Sequence, residues 1–148
     1  MWKLNRIDHV VLMCRDLDAS LAFYRALGFD IDERSIERHR EGNVPFVKVS
    51  AGNNSIDLRP RAGWQPIERE TGNMQHLNVV VEEIEDINVV IDEIAKAGLK
   101  PDFGPEVQGG AWGFDIYDPD NNRIEVRLAT RASEADLAAA SARRGRDR

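Results

Sequence analysis

Two histidines and two carboxylates recur at nearly the same interval along this chain of 148 residues. His9 stands third in IDHVVLM and His76 third in MQHLNVV, 67 positions apart. Asp57 in NNSIDLR and Glu125 in NNRIEVR are 68 positions apart, and each acid is followed two residues later by an arginine, Arg59 or Arg127. Two imidazoles and two carboxylates make a ligand set for a divalent metal ion. The arginines suit an anionic substrate group or a nearby acid. A single histidine on a strand, or a single acid on a sheet face, is ordinarily structural or solvated. It is the repetition that marks these four.

The elements that must position them follow from periodicity. Alternation along a strand sets Val10, Leu12 and Cys14 against His9, and Leu77, Val79 and Val81 against His76. Likewise Ile56 and Leu58 oppose Asp57 and Arg59, while Ile124, Val126 and Leu128 oppose Glu125 and Arg127. The apolar face must cover helices, so the two histidines, the two acids and the arginines project from the other face. After His9 comes DLDASLAFYRALGF, with helical spacing and Asp16 or Asp18 as N-cap. After His76 comes EIEDINVVIDEIAKAGL, with Ile84, Ile87, Ile91 and Ile94 on one side. Gly28 and Gly98 fall where both helices should stop. Strands are expected over Phe29 to Ile36, Phe46 to Val49 and Ser55 to Arg59, then over Pro101 to Val107, Trp112 to Tyr117 and Arg123 to Leu128.

The chain therefore reads as α+β, two tandem βαβββ modules at about residues 5–60 and 73–130, joined by the polar stretch Arg59 to Asn73. Together they are expected to form one domain over residues 1–130. Residues 131–148 read as a helical or disordered tail whose Arg143, Arg144, Arg146 and Arg148 are solvated. A net charge of −6 and a pI near 5.1 give no field for nucleic acid. No apolar run reaches the roughly 20 residues of a membrane span. One cysteine, Cys14, leaves no internal disulfide and reads as a small core residue. The start MWKLNRIDHV lacks a basic segment followed by an apolar stretch, so a cytoplasmic location is expected. His39, in SIERHREGN, reads as a surface or lid residue. Trp64 and Trp112 are candidates to wall a pocket or to pack in the core or at a dimer interface.

The stretches IDHVVLMCRDLDASLAFYRALGF, NNSIDLR, MQHLNVVVE and FDIYDPDNNRIEVR resemble the vicinal oxygen chelate superfamily over nearly all of Ile7 to Leu128. That group includes glyoxalase I, extradiol dioxygenases, fosfomycin and bleomycin resistance proteins and methylmalonyl-CoA epimerase. The resemblance implies paired modules forming a U-shaped, partly open mixed barrel around a divalent metal (Zn, Ni, Mn or Fe), with helices outside. It implies His9, His76 and Glu125 as ligands. Asp57 stands at the fourth position, where glyoxalase I enzymes usually carry glutamate. A homodimer is expected because the edges of small half-barrels need covering; the resemblance allows a site assembled across it, with His9 and Asp57 of one subunit facing His76 and Glu125 of the other, or a site within one chain.

The function expected from this is a glyoxalase-like lyase or isomerase acting on a small molecule. A Lewis acid chelates two neighbouring oxygens and Glu125, as base, moves a proton. Arg59, Arg127 and Trp112 are its candidate substrate-binding residues. Two alternatives stand beside it: an Fe(II) extradiol dioxygenase using His9, His76 and Glu125 as a facial triad, and a metal-free protein that sequesters a bulky ligand.

Overall fold

The computed structural model describes residues 1–146, which divide into two compact units. Unit 1 holds Met1–Glu68 together with Asp118–Asn121; unit 2 holds Arg69–Tyr117 and the chain from Asn122 onward.

Unit 1 runs β1 (His9–Cys14), α1 (Leu17–Ala26), β2 (Asp30–Ile31), α2 (Glu33–Arg40), β3 (Val47–Ala51) and β4 (Asn54–Pro60). Its sheet has the order β1-β4-β3-β2, with β1 parallel to β4 and the other pairs antiparallel. Asp16 is the N-cap of α1, its carboxylate accepting the Ala19 N–H at 3.1 Å. Leu58, Val47, Val49 and Ile56 are all buried. Each stabilises the fold by roughly 1.5–3 kcal/mol relative to full exposure. Tyr24 is completely buried, edge-on to Phe23 and Phe29 at 5.2 Å each. Its hydroxyl donates to Asp118 Oδ2 at 2.8 Å, tying the Asp118–Asn121 segment into this core.

The strand expected over Phe29 to Ile36 is corrected here. Only Asp30–Ile31 is extended, and Glu33–Arg40 is helical. Asp32 caps that helix, accepting the Ser35 N–H at 3.2 Å, and the Ser35 hydroxyl donates back to Asp32 O at 2.7 Å. A capped run of Glu and Arg favours a helix over an edge strand. The two halves of the chain are therefore not identical repeats, since α2 has no counterpart in unit 2.

Unit 2 runs β5 (Leu77–Val81), α3 (Ile87–Lys96), β6 (Phe103–Gln108), β7 (Ala111–Tyr117), β8 (Arg123–Arg131) and α4 (Glu134–Arg146). Its sheet order, β5-β8-β7-β6, with β5 parallel to β8, matches that of unit 1. Asp86 caps α3, and Ile87 and Ile94 are its buried residues. Gly28 and Gly98, just beyond α1 and α3, adopt φ of 101° and 82°, values that a side chain would strain. The tail, expected to be helical or disordered, is the helix α4, with Arg143 and Arg144 exposed. Asp136 of α4 accepts the Trp112 indole N–H at 3.3 Å, and the Arg144 guanidinium donates to Val107 O at 3.2 Å, so α4 docks on β6 and β7. Arg148 and the side chain of Arg146 lie outside the described residues.

Candidate functional site

Strand pairing puts the chemically capable residues of each unit on one sheet face. In unit 1, β1 and β4 pair Val11 with Asp57 and Met13 with Arg59, and β3 sets Lys48 opposite Asp57. His9, Lys48, Asp57 and Arg59 therefore share a face, while Val10, Leu12, Ile56, Leu58, Val47 and Val49 turn to the other. In unit 2, Asn78 pairs with Glu125, Val80 with Arg127, Asp115 with Glu125 and Gly113 with Arg127. The parity read from the sequence holds at His9, Asp57 and Glu125; His76 stands one residue before β5 and meets Glu125 from there.

Within unit 1, Asp57 is buried at 4% exposure. Its Oδ2 lies 3.7 Å from His9 Nε2, and its Oδ1 lies 3.2 Å from Lys48 Nζ. The ammonium approach is off-line, so Oδ1 has a charge partner but no hydrogen bond. Lys48 Nζ also donates to Ser55 Oγ at 3.2 Å. A buried carboxylate oxygen without a donor is costly, and a cation is the partner that best offsets the cost. Asp8 is held below the usual carboxylate range, chiefly by its hydrogen bond to the His9 ring.

Within unit 2, His76 Nε2 lies 3.0 Å from Glu125 Oε2. Glu125 is 8% exposed and forms no other ion pair among the described residues. Its ladder neighbour Asp115, 1% exposed, is neutralised by Arg123 through Nε to Oδ1 at 3.0 Å and Nη2 to Oδ2 at 3.1 Å. Gln108 adds a third donor to Asp115 at 3.0 Å. This fork raises the Arg123 guanidinium above its usual range. Arg123 also reaches Glu70 at 3.2 Å, and Glu70 accepts from the Tyr117 hydroxyl, which holds the phenol up and the carboxyl down. Asp115 is thus fully occupied, and Glu125 is the carboxylate left facing an imidazole.

The other predicted residues fall as follows. Arg127 lies beside Glu125 on the same face, its guanidinium against Gly109 where a Cβ would stand 2.4 Å away. Arg59 is exposed at the end of β4. Trp112 spends its indole N–H on α4, which marks it as part of the packing of that helix. Trp64 keeps a buried indole nitrogen with no hydrogen-bond partner. Burial pushes the Cys14 thiol up to about 11, consistent with a core residue and not a nucleophile. His39 sits on α2 and its Nδ1 lies 3.0 Å from Val44 O. Among the described residues no group of three or more His, Cys, Asp or Glu side chains gathers to hold a metal ion. What each unit provides is one histidine–carboxylate pair.

Lys48, Asp115 and Arg123 escaped the reading of the sequence. The alternation in VKV and FDIY carried the signal for the first two, and Arg123 shares parity with Glu125 two residues on. What the sequence lacked was the strand register that sets Lys48 beside Asp57.

Residues 6–126 match the model of the glyoxalase/bleomycin resistance protein/dioxygenase superfamily. A virulence protein of Salmonella typhimurium is 30% identical over 129 residues, covering 83% of each chain. Human mitochondrial methylmalonyl-CoA epimerase is 29% identical over 123 residues, which span 78% of this chain but 66% of that protein. Among solved structures, a fosfomycin resistance protein of Listeria monocytogenes, complexed with Mn(II) and a dihydroxypropylphosphonic acid, superposes with a TM-score of 0.60 at 17% identity. That superposition covers 86% of this chain and 93% of the other and bears on the fold alone. No described helix is long and apolar enough to cross a membrane. With two four-stranded mixed sheets of matching order and a family match over most of its length, the chain belongs to the glyoxalase/bleomycin resistance protein/dioxygenase superfamily.

Proposed function

We propose that this protein is a divalent-metal-dependent enzyme, a glyoxalase-like lyase or isomerase that transfers a proton on a small molecule. His9, His76 and Glu125 are its principal ligands and Asp57 a weaker fourth. The observation that carries this reading is the His76–Glu125 pair: a nearly buried carboxylate 3.0 Å from an imidazole, with no other ion-pair partner among the described residues. The donors are imidazole nitrogens and carboxylate oxygens, a set that fits Zn²⁺, Ni²⁺, Mn²⁺ or Fe²⁺. Asp57 Oδ1 accepts no hydrogen bond but is already paired with the Lys48 ammonium at 3.2 Å, so a cation bound there would compete with Lys48, which is why Asp57 is the weaker ligand.

The cation, when bound, would supply Lewis acidity to two neighbouring substrate oxygens. The chain's own residues do the rest. Glu125 removes a proton from the carbon next to a carbonyl and returns it, held in orientation by His76. Arg123 keeps Asp115 neutralised, so that no uncompensated acid faces Glu125 across the ladder. Arg127, beside Glu125, and Arg59, beyond Asp57, hold anionic parts of the substrate. Epimerisation, the activity in one relative's name, is itself removal and return of a proton. Assembly as a homodimer belongs to the same proposal, and whether one chain or two supply a full ligand set is open to a mixing experiment.

The test is oxygen uptake. The Fe²⁺-loaded protein mixed with simple catechols should consume no O₂, because the chemistry proposed involves no redox change. A stoichiometric burst of uptake would replace this reading with ring-cleaving dioxygenase chemistry.

A further inference from the structure

The histidine–acid face of unit 1 does not end at Asp57. Met13 and Arg59, register partners in β1 and β4, lie two residues beyond Val11 and Asp57. That is about 7 Å along the strands. There a cavity of about 630 Å³ is lined by Met13, His39, Pro45, Arg59, Pro60 and Arg61, with Ala62 at its edge. Every ionisable side chain in that lining is basic, in a chain whose net charge is −6. Neither Arg59 nor Arg61 forms an ion pair among the described residues. His39 donates Nδ1–H to Val44 O, because a carbonyl only accepts, and Nε2 remains for a ligand.

We propose that this pocket binds the phosphate-type group of an organic molecule. Two guanidinium forks match the geometry of a tetrahedral oxyanion and offer up to four N–H donors to a dianion. Met13, Pro45 and Pro60 provide an apolar wall, so the ligand carries carbon beside its charge. The volume agrees, since it lies within the range of pockets for drug-sized ligands and far exceeds the need of a lone anion. This deepens the role given above to Arg59 and rests on it, but it concerns binding and needs no metal.

The experiment titrates the full-length protein, held in EDTA at low salt, with phenyl phosphate, inorganic phosphate and benzoate. Calorimetry gives affinity and backbone amide NMR gives location. Phenyl phosphate should bind at least tenfold more tightly than benzoate and more tightly than inorganic phosphate, with shifts at Met13, His39, Arg61 and Ala62. Arg59→Ala and Arg61→Ala should each weaken it about tenfold or more. Ala62→Glu, at an exposed edge where folding is undisturbed, should do the same by placing a negative charge at the mouth, and it serves if either arginine variant misfolds. Benzoate binding as tightly as phenyl phosphate, affinity unchanged in the folded variants, or shifts confined to α4 near Arg131 and Arg144 would each overturn the proposal. Metal content unaltered in Arg59→Ala, alongside lost phenyl phosphate binding, separates this site from the metal ligands.

Discussion

Replacing Arg123 with Met should destabilise the fold far more than its partly exposed position implies. Arg123 makes a two-pronged contact, 3.0 and 3.1 Å, with Asp115, a carboxylate that is 1% exposed. Met keeps much of the aliphatic stem and removes the fork, so the packing loss is small. What remains is a buried anion with one neutral donor, Gln108 at 3.0 Å. Breaking a buried pair from one side costs about 3–5 kcal/mol, because the stranded charge has lost both water and partner. At about 2–4 °C per kcal/mol for a chain of this size, Tm falls by about 6–20 °C. Differential scanning calorimetry reads this directly. The control is Arg123→Met combined with Asp115→Asn, which removes the charge and should recover more than half of the loss. A Tm within 2 °C of wild type for the single variant, or no recovery in the double, would refute the claim that this pair neutralises the centre of the unit 2 face.

Further outcomes follow from the structure. Tyr24→Phe removes a buried donor to Asp118 and should cost about 1.5–3 kcal/mol, a Tm loss of about 3–12 °C. Burial and then the Asp118 charge hold the Tyr24 phenol well above its unfolded value near 10, so its stabilisation is complete below about pH 10 and lost as pH climbs further; wild type should lose Tm above pH 10 more steeply than Tyr24→Phe. Asp57→Asn should weaken metal retention less than Glu125→Gln does, while Lys48→Met, which removes an ammonium 3.2 Å from Asp57, should tighten it about fivefold or more, as competition calorimetry would show. Mixing His9→Ala with Glu125→Gln, with subunit exchange confirmed, should restore metal binding to about one site per mixed dimer if the ligand pairs come from different subunits; no recovery would place all ligands within one chain.

Much of this fold was legible because its strongest signal is strict. β1, β4 and β8 bury their apolar faces, and a one-residue slip would invert every side chain, so parity put His9, Asp57 and Glu125 on the histidine–acid faces, while His76 stands just before β5. Gly28 and Gly98 marked the helix ends for a similar reason, since both need positive φ. The second helix was hidden by Phe29 and Ile31, whose alternation suggested a strand, while the decisive feature, the Asp32 cap with Ser35, is a local hydrogen-bond choice that periodicity does not show. The tail, expected to be helical or disordered, is helical; that it docks through Trp112 and Val107 depends on tertiary placement, which its composition does not show. Lys48 beside Asp57 and Arg123 on Asp115 are products of register, and register between strands that are distant in sequence is not written in either strand.

The central claim is that the repeated histidine–acid pairs bind a divalent cation. Elemental analysis of protein purified without chelator, for wild type and for His76→Ala side by side, tests it most directly. His76 is exposed enough that its removal should leave the fold intact, as circular dichroism would verify. The account predicts bound divalent metal in the wild type and a loss of most of it in His76→Ala. Equal stoichiometry in the two proteins, or no metal in either after incubation with Zn²⁺, Ni²⁺, Mn²⁺ and Fe²⁺ in turn, would contradict it.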